Sequence, residues 1–381
     1  MMPKRLAGYQ SILEQRERKG RRRKLSGQSG KDFTSNDYLG LAGSPRLRAS
    51  VISALERGVP VGAGGSRLLR GNHPEHEALE EEAAAFFRSE RMLYFGSGYA
   101  ANLAILATLP QRNDLVIYDE WIHASAHAGI AAGRATAAGV PHNDLDATED
   151  AIRKWRQAGG RGHPWIAVES LYSMDGDKAP LARLMDLADS YDGFLLIDEA
   201  HATGVHGVDG RGFAVELEGR DNVVVLHTCG KALGVSGALI GAGGVLCDYL
   251  INHARPFIYA TAPSPLAAAG VREALKILSE EPERRRRLQS MIAYANDQIV
   301  RHVGRAGSGS QILPVILGDN ARTMRVAEQM QVDGFDIRAI RPPTVPAKTA
   351  RLRIAVTLNV DLPTVSHMFE RLAKAIAEVQ P

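Results

Sequence analysis

The sequence has few cysteines and no long apolar run. Its two cysteines, Cys229 and Cys247, form no CxxC pair, so neither a disulfide framework nor a structural zinc site is predicted. The most apolar stretch, residues 237–246, is too short to cross a bilayer, and the N-terminus lacks the apolar segment of a secretory leader. We therefore expect a cytoplasmic protein.

The overall charge excludes a strongly basic or acidic binding protein. The formal net charge is +3, which is too small to indicate a nucleic-acid or membrane partner. Hydrophobic residues make up 45% of the chain and charged residues 23%, as in an ordinary globular protein. Basic residues are concentrated in the first 24 positions, where we expect a basic helix followed by a short strand and a loop.

Strand and helix patterns alternate between about residues 90 and 250, which predicts βαβ units around a parallel sheet. Such a sheet is buried on both faces. The expected strands are residues 91–95, 115–118, 165–170, 194–200 and 223–227.

The charged stretch at residues 279–289 interrupts this alternation and predicts a domain boundary. We expect an N-terminal arm with a short strand over residues 1–45, a large domain over 46–285 and a smaller α/β domain over 286–381. The strands of the smaller domain are expected at residues 312–318 and 350–356.

Three apolar strands end in polar residues, and ligands of open parallel sheets bind outside the carboxyl ends of the strands. The first is Phe95-Gly96-Ser97-Gly98-Tyr99, which follows a strand and opens a helix. Its backbone N–H groups could hold a phosphate, although an ordinary turn into a helix has the same sequence.

The other two strand ends carry a carboxylate and a lysine. The run 195–201 ends in Asp198, and a buried carboxylate needs a cationic partner, either a protonated pyridine nitrogen or an arginine. The run 225–231 ends in Lys231, which could form an imine with an aldehyde if it is desolvated; taken singly, a surface lysine is the simpler interpretation.

The order of phosphate turn, carboxylate and lysine is typical of the fold-type-I enzymes that use pyridoxal phosphate (PLP). The chain resembles the α-oxoamine synthases along nearly its whole length. The motifs that carry the resemblance are Ser35-Asn36-Asp37-Tyr38-Leu39-Gly40, Gly64-Gly65-Ser66-Arg67, residues 169–177, Gly230-Lys231, His142-Asn143-Asp144, and residues 341–346 leading into 350–353.

This resemblance implies an α/β fold, with a mostly parallel seven-stranded sheet between helices in a large domain and a smaller α/β C-terminal domain. It also implies a PLP-dependent condensation of L-alanine with a pimeloyl thioester, carried by coenzyme A or an acyl carrier protein, in biotin synthesis. The protein would be a homodimer with its active site at the subunit interface. Residues 67–74 vary among family members and border the thioester. The resemblance therefore predicts the acyl substrate less specifically than it predicts the cofactor.

The resemblance assigns four catalytic residues. Lys231 would form the Schiff base with PLP and remove the α-proton of alanine, Asp198 would pair with the pyridine nitrogen, and His201 with the phenolic oxygen. His123 would stack on the ring, although periodicity alone favours a capping or core histidine.

Further residues are assigned to binding. Ser97, Gly98, Tyr99 and Thr228 would hold the phosphate, and Thr261 would reach the phosphate of the partner subunit.

Arg353 would pair with the alanine carboxylate through its planar guanidinium, unless it is a solvent-exposed arginine at a strand edge. Asn36, Ser173 and Arg21 match positions that line the substrate site, and Ser173 is also placed at the cofactor. Thr344 is assigned to the substrate, and Arg21 fits a solvated helix face equally well.

Several other functions remain as alternatives. A sister synthase would use glycine or serine with another acyl-CoA, and an ordinary aminotransferase lacks the motifs above. One motif of nucleic-acid helicases is matched by Asp198-Glu199-Ala200-His201. A helicase also needs the P-loop sequence GxxxxGK[ST], which is not present around Lys231. His123 and His127 lack the glutamate and third ligand of a zinc site, so no metal is expected.

Overall fold

The computed structural model describes residues 3–25 and 27–379, which divide into two compact units. The larger unit takes residues 36–173 and 177–289. The smaller unit takes the described residues before 36, the short segment Met174–Gly176 and the described residues from 290 onward. The predicted boundaries at residues 45/46 and 285/286 stay a prediction.

The helices and strands follow the chain in this order. The strands are β1 (Lys31–Asp32), β2 (Arg91–Phe95), β3 (Leu115–Asp119), β4 (Thr136–Val140), β5 (Pro164–Glu169), β6 (Phe194–Asp198), β7 (Val223–Thr228), β8 (Ala238–Ala242), β9 (Ile312–Gly318), β10 (Phe335–Asp336), β11 (Ala339–Ile340) and β12 (Ala350–Ala355). The helices are α1 (Ala7–Arg18), α2 (Pro45–Glu56), α3 (Pro74–Phe87), α4 (Gly98–Thr108), α5 (Ala124–Ala132), α6 (Leu145–Gln157), α7 (Leu181–Ser190), α8 (Gly244–His253), α9 (Arg255–Ile258), α10 (Pro265–Glu280), α11 (Pro282–Gln298), α12 (Asn320–Val332) and α13 (Leu362–Glu378).

The larger unit is built on a seven-stranded sheet in the order β2-β8-β7-β6-β5-β3-β4. Strand β8 runs antiparallel to both of its neighbours, and the other pairs are parallel. The mostly parallel sheet predicted from the resemblance is therefore confirmed. Because β2 runs in the same direction as β3, β5, β6 and β7, the carboxyl ends of these five strands meet at one edge.

Successive side chains of each central strand enter two different cores. Leu196 packs in a cluster with residues of α4, α5 and α8, whereas Leu195 and Ile197 pack in a second cluster with residues of α6 and α7. Apolar side chains alternate between the faces of a strand, and here both faces are covered by helices. The predicted burial of both faces is thus confirmed.

The five strands expected in the larger unit are present, but β5 and β6 end one or two residues earlier than predicted, at Glu169 and Asp198. Strands β4 and β8 were not predicted because they consist largely of alanine and glycine, which have low strand propensity. In β8 the small residue is required by packing, since a Cβ atom at Gly241 would lie 2.6 Å from Glu218 Oε1.

The smaller unit contains a three-stranded antiparallel sheet in the order β11-β12-β9 and a parallel pair formed by β1 and β10. The two strands predicted here are present as β9 and β12, and the predicted basic helix and short strand are present as α1 and β1. Within residues 3–25 and 27–379, each helix is too short or too polar to traverse a lipid bilayer.

Candidate active site

Polar side chains gather at the carboxyl edge of the seven-stranded sheet. Asp198 is the last residue of β6, Lys231 follows β7 by three residues, and His123 follows β3 and caps the N-terminus of α5. Each belongs to the larger unit. The parallel topology thus brings together side chains that are far apart in sequence.

Lys231 begins a chain of hydrogen bonds that ends at Asn36. Its Nζ lies 2.7 Å from His201 Nε2, His201 Nδ1 lies 2.7 Å from Tyr38 Oη, and Tyr38 Oη donates to Asn36 Oδ1 at 3.0 Å. Since an ammonium group has only donors, Nε2 accepts, and a neutral His201 carries its proton on Nδ1. The imidazole is therefore oriented with an acceptor towards the lysine.

The Asp198 carboxylate is buried and is held by neutral donors. Oδ2 accepts from Asn102 Nδ2 at 2.7 Å, and Oδ1 accepts from the Ala200 N–H at 2.9 Å. No arginine or lysine of the described residues forms an ion pair with it. Within the described part of the chain, Asp198 therefore lacks the arginine partner that was one of the two predictions from the sequence. A buried carboxylate without a cationic protein partner suits a cationic group of a ligand.

His123 is connected to the same carboxylate through two side chains. Its Nδ1 lies 2.7 Å from Ser125 Oγ, and Ser125 Oγ accepts from Asn102 Nδ2 at 3.0 Å. Burial lowers the pKa of His123, the charge of Asp198 opposes this change, and the charge of Lys231 adds to it. The ring is therefore neutral and fixed in orientation. His123 caps α5, as periodicity alone favoured, and also lies in the polar cluster with Asp198.

Glu169 is a second buried carboxyl group beside Asp198. The two residues are partners in the register of β5 and β6, so their side chains lie on the same face of the sheet. Glu169 Oε2 accepts from the Ser173 N–H at 3.0 Å, and Oε1 is buried and has no hydrogen-bond partner among the residues that the structure describes. Burial raises the pKa of Glu169 to about 8; the negative charge of Asp198 acts in the same direction and Lys231 opposes it.

Replacing Glu169 by glutamine is expected to change how stability depends on pH. Between about pH 4.5 and 8, Glu169 is protonated in the folded protein and ionised in the unfolded chain. This group therefore makes the wild type less stable as the pH rises through that range. The free energy of unfolding of the Glu169→Gln variant, relative to that of the wild-type apoprotein, should therefore rise by on the order of 4 kcal/mol from about pH 5 to about pH 8.5. Urea unfolding at both pH values measures this, and a stability difference that is constant with pH would refute it.

The turn from β2 into α4 provides an anion site. Ser97 caps α4 by accepting from the Ala100 N–H at 3.2 Å, and the first helical residues, Gly98 and Tyr99, present free N–H groups at the positive end of the helix. Thr228, at the end of β7, lies close by, since a Cβ atom at Gly98 would sit 3.5 Å from Thr228 Oγ1. This arrangement can hold a phosphate.

Four predicted site residues remain, one in the larger unit and three in the smaller. Thr261 is exposed in the connection between α9 and α10. Arg21, Thr344 and Arg353 belong to the smaller unit. Arg353 lies on β12, the central strand of its sheet, and is only 7% exposed, so a solvent-exposed position at a strand edge is excluded.

Several contributors to the cluster were not predicted from the sequence. Asn102 and Ser125 connect Asp198 to His123, and Tyr38 connects His201 to Asn36. Tyr38 and Glu169 lie within motifs that carried the resemblance, but no role was assigned to them. The available signal for Asn102 was a single amide in the otherwise apolar helix α4.

The comparisons with known proteins agree with this geometry. The family model "Aminotransferase class I and II" matches residues 30–372. An 8-amino-7-oxononanoate synthase from Chromobacterium violaceum is 39% identical, over 92% of this chain and 90% of the relative. Another 8-amino-7-oxononanoate synthase, from Herminiimonas arsenicoxydans, is 38% identical over 93% of this chain and 92% of its own. The chain belongs to the 8-amino-7-oxononanoate synthase family of class I and II aminotransferases.

Solved structures show the same fold. The 8-amino-7-oxononanoate synthase of Francisella tularensis superposes with a TM-score of 0.78 at 27% identity, covering 92% of this chain and 98% of its own. The serine palmitoyltransferase of Sphingomonas wittichii gives a TM-score of 0.87 at 24% identity, covering 98% and 99%. The predicted fold-type-I architecture and the resemblance to the α-oxoamine synthases are thus confirmed, and the helicase alternative is excluded.

Proposed function

We propose that the protein catalyses the PLP-dependent decarboxylative condensation of L-alanine with a pimeloyl thioester, giving 8-amino-7-oxononanoate, carbon dioxide and the free thiol carrier in biotin synthesis. The observation that carries the proposal is the cluster in which Lys231 contacts His201 beside the buried carboxylate of Asp198. It occurs in a chain whose relatives, at 38–39% identity, carry the name of this activity.

The residues present fit PLP. The N-terminus of α4 with Ser97 and Thr228 would hold its phosphate, and Lys231 would bind its aldehyde carbon. Asp198 has no cationic protein partner among the described residues, and a protonated pyridine nitrogen would supply one. When bound, PLP serves as an electron sink for the negative charge that develops at the α-carbon of an amino acid.

The protein's own groups then have defined tasks. With the cofactor bound, Nζ of Lys231 would take the proton from the α-carbon of alanine. His201 would position the lysine amine, since its Nε2 lies 2.7 Å from Nζ. The neutral ring of His123 provides a flat apolar face for the cofactor, with Asn102 and Ser125 fixing its orientation. Arg353 binds the alanine carboxylate, and Asn36, Ser173, Arg21 and Thr344 contribute to substrate binding.

The proposal includes a homodimer in which Thr261 reaches the phosphate of the partner subunit. Ala262 N donates to Gly65 O at 2.9 Å, which ties the Thr261 segment to the loop between α2 and α3. Large apolar side chains are exposed around this contact, with Val61 71% and Tyr259 74% exposed. A second copy of the chain would remove these side chains from water. The proposed location is the cytoplasm.

Spectroscopy with three amino acids tests this proposal. PLP-loaded protein is titrated with L-alanine, glycine and L-serine, before and after addition of pimeloyl-CoA, while its visible absorbance is recorded. L-Alanine should change the spectrum at the lowest concentration, and a further change should require the thioester. A protein that does not take up PLP would overturn the proposal, and a preference for glycine or serine would indicate a sister synthase.

A further inference from the structure

The motif His142-Asn143-Asp144 has no task in the function proposed above, although its histidine lies beside the site. His142 follows β4, and its ring bridges two carboxylates. Nδ1 lies 2.9 Å from both oxygens of Asp119, and Nε2 lies 2.6 Å from Asp177 Oδ2. With one carboxylate on each ring nitrogen, both nitrogens can act as donors only in the protonated imidazolium.

Two aromatic rings complete the surroundings of His142. Its ring is stacked on Trp121, with centroids 3.9 Å apart and an interplanar angle of 16°, and meets the edge of Tyr172 at 4.4 Å. The Glu120 carboxylate accepts from the backbone N–H of His142 at 3.3 Å, and the Lys178 ammonium lies over the ring of Phe213. Among the described residues, the charged groups bonded to the ring nitrogens are the carboxylates of Asp119 and Asp177.

Asp119 and Asp177 both lie in segments that carry proposed cofactor residues. Asp119 ends β3, and its Oδ1 accepts from the Trp121 N–H at 2.8 Å, which shapes the turn leading to His123. Asp177 closes the loop after β5: its backbone carbonyl accepts from the Tyr172 N–H at 2.9 Å, next to Ser173, while its carboxylate contacts His142.

We propose that His142 is a positioning residue whose imidazolium, bridging Asp119 and Asp177, holds the His123 segment and the Ser173 segment in place around the cofactor. This inference rests on the proposed function, because it takes His123 and Ser173 as cofactor contacts. A rigid connection between the ends of β3, β4 and β5 would preorganise groups that contact the cofactor from different strands.

The charge balance supports this bridge. Burial by itself lowers the pKa of His142, but the hydrogen bonds to Asp119 and Asp177 outweigh it and raise the pKa to about 9. Because this value lies above the ordinary 6.5, the bridge contributes its full stability below about pH 6.5 and loses it as the pH rises through about 9.

The first experiment observes the bridge in apoprotein and does not depend on catalysis. Histidine ring carbons are labelled with ¹³C, and the His142 signal is assigned as the one that is missing from the NMR spectrum of the His142→Asn variant. The chemical shift of this signal is then followed as a function of pH. We expect a midpoint near 9 in the wild type and a midpoint at least about one pH unit lower in Asp177→Asn, which removes one counter-charge. A wild-type midpoint at or below 6.5 would overturn the bridge.

The second experiment measures positioning. His142→Asn and Asp177→Asn should each weaken PLP binding and lower kcat, by about 10-fold or more, with a smaller change in the KM for alanine. The exposed helix α6 residue Asp150, replaced by asparagine, serves as the matched control and should change neither quantity. If His142→Asn does not fold, Asp177→Asn still carries the test, because it retains the contact between His142 and Asp119.

Unchanged PLP affinity and kcat in a folded variant would overturn the positioning role. If instead the wild type failed to condense alanine with the thioester, the proposed function would fail while the NMR midpoints and PLP affinities remained interpretable.

Discussion

Lys231→Ala is expected to lower the condensation rate by about 10³-fold or more, because it removes both the proposed amine anchor of the cofactor and the proposed base at the α-carbon. The fold should persist. The side chain lies at the edge of the sheet, where Nζ contacts His201 and no buried apolar cluster includes it. Circular dichroism, PLP absorbance and product formation measure the three expectations on the same preparation.

The matched control is Lys154→Ala, an exposed lysine on α6 of the same unit. It removes the same charge and the same methylene groups far from the carboxyl edge of the sheet, so both absorbance and turnover should equal the wild type. If Lys231→Ala kept the imine absorbance of the wild type, another amine would have to hold the cofactor and the assignment of Lys231 would be wrong.

Asp198→Asn should have the second largest effect, a loss of about 10²- to 10³-fold in kcat, because it removes the buried negative charge that we propose to pair with the pyridine nitrogen. Asparagine has nearly the same shape, and its amide oxygen can still accept from Asn102 Nδ2. PLP should therefore still bind through Lys231, which separates the electrostatic role of Asp198 from cofactor retention.

The control for this variant is Asp186→Asn on the exposed face of α7, which removes one carboxylate charge from the same unit. Its kcat should match the wild type. A kcat for Asp198→Asn within about twofold of the wild type would show that the carboxylate does not act on charge development at the cofactor, since such preorganised interactions are worth far more than that.

Much of the larger unit could be predicted from the sequence because its central strands are buried on both faces. Continuous apolar runs such as residues 223–226 are distinctive, and the polar residues that follow these strands predicted the edge of the sheet at which Asp198 and Lys231 are found. Strands β4 and β8 were missed for the complementary reason. Their alanines and glycines have low strand propensity, and at Gly241 close packing leaves no room for a larger side chain.

The contacts within the site were harder to predict than its location. Asn102 lies inside an apolar helix, and its pairing with Asp198 depends on how α4 packs on the sheet, which no local pattern encodes. Glu169 becomes a protonated neighbour of Asp198 only through the register of β5 and β6. His142 meets its two carboxylates because three strand ends converge, so the bridge depends on tertiary structure.

The most direct test of the proposed reaction follows the carboxyl carbon of alanine. Purified PLP-loaded protein is incubated with L-alanine labelled with ¹⁴C in its carboxyl group, with and without pimeloyl-CoA or pimeloyl-acyl carrier protein, and the released carbon dioxide is counted. The proposed mechanism predicts labelled carbon dioxide only when a pimeloyl thioester is present, in equal amount to the amino ketone formed. Release without thioester, or no release with either carrier, would contradict it.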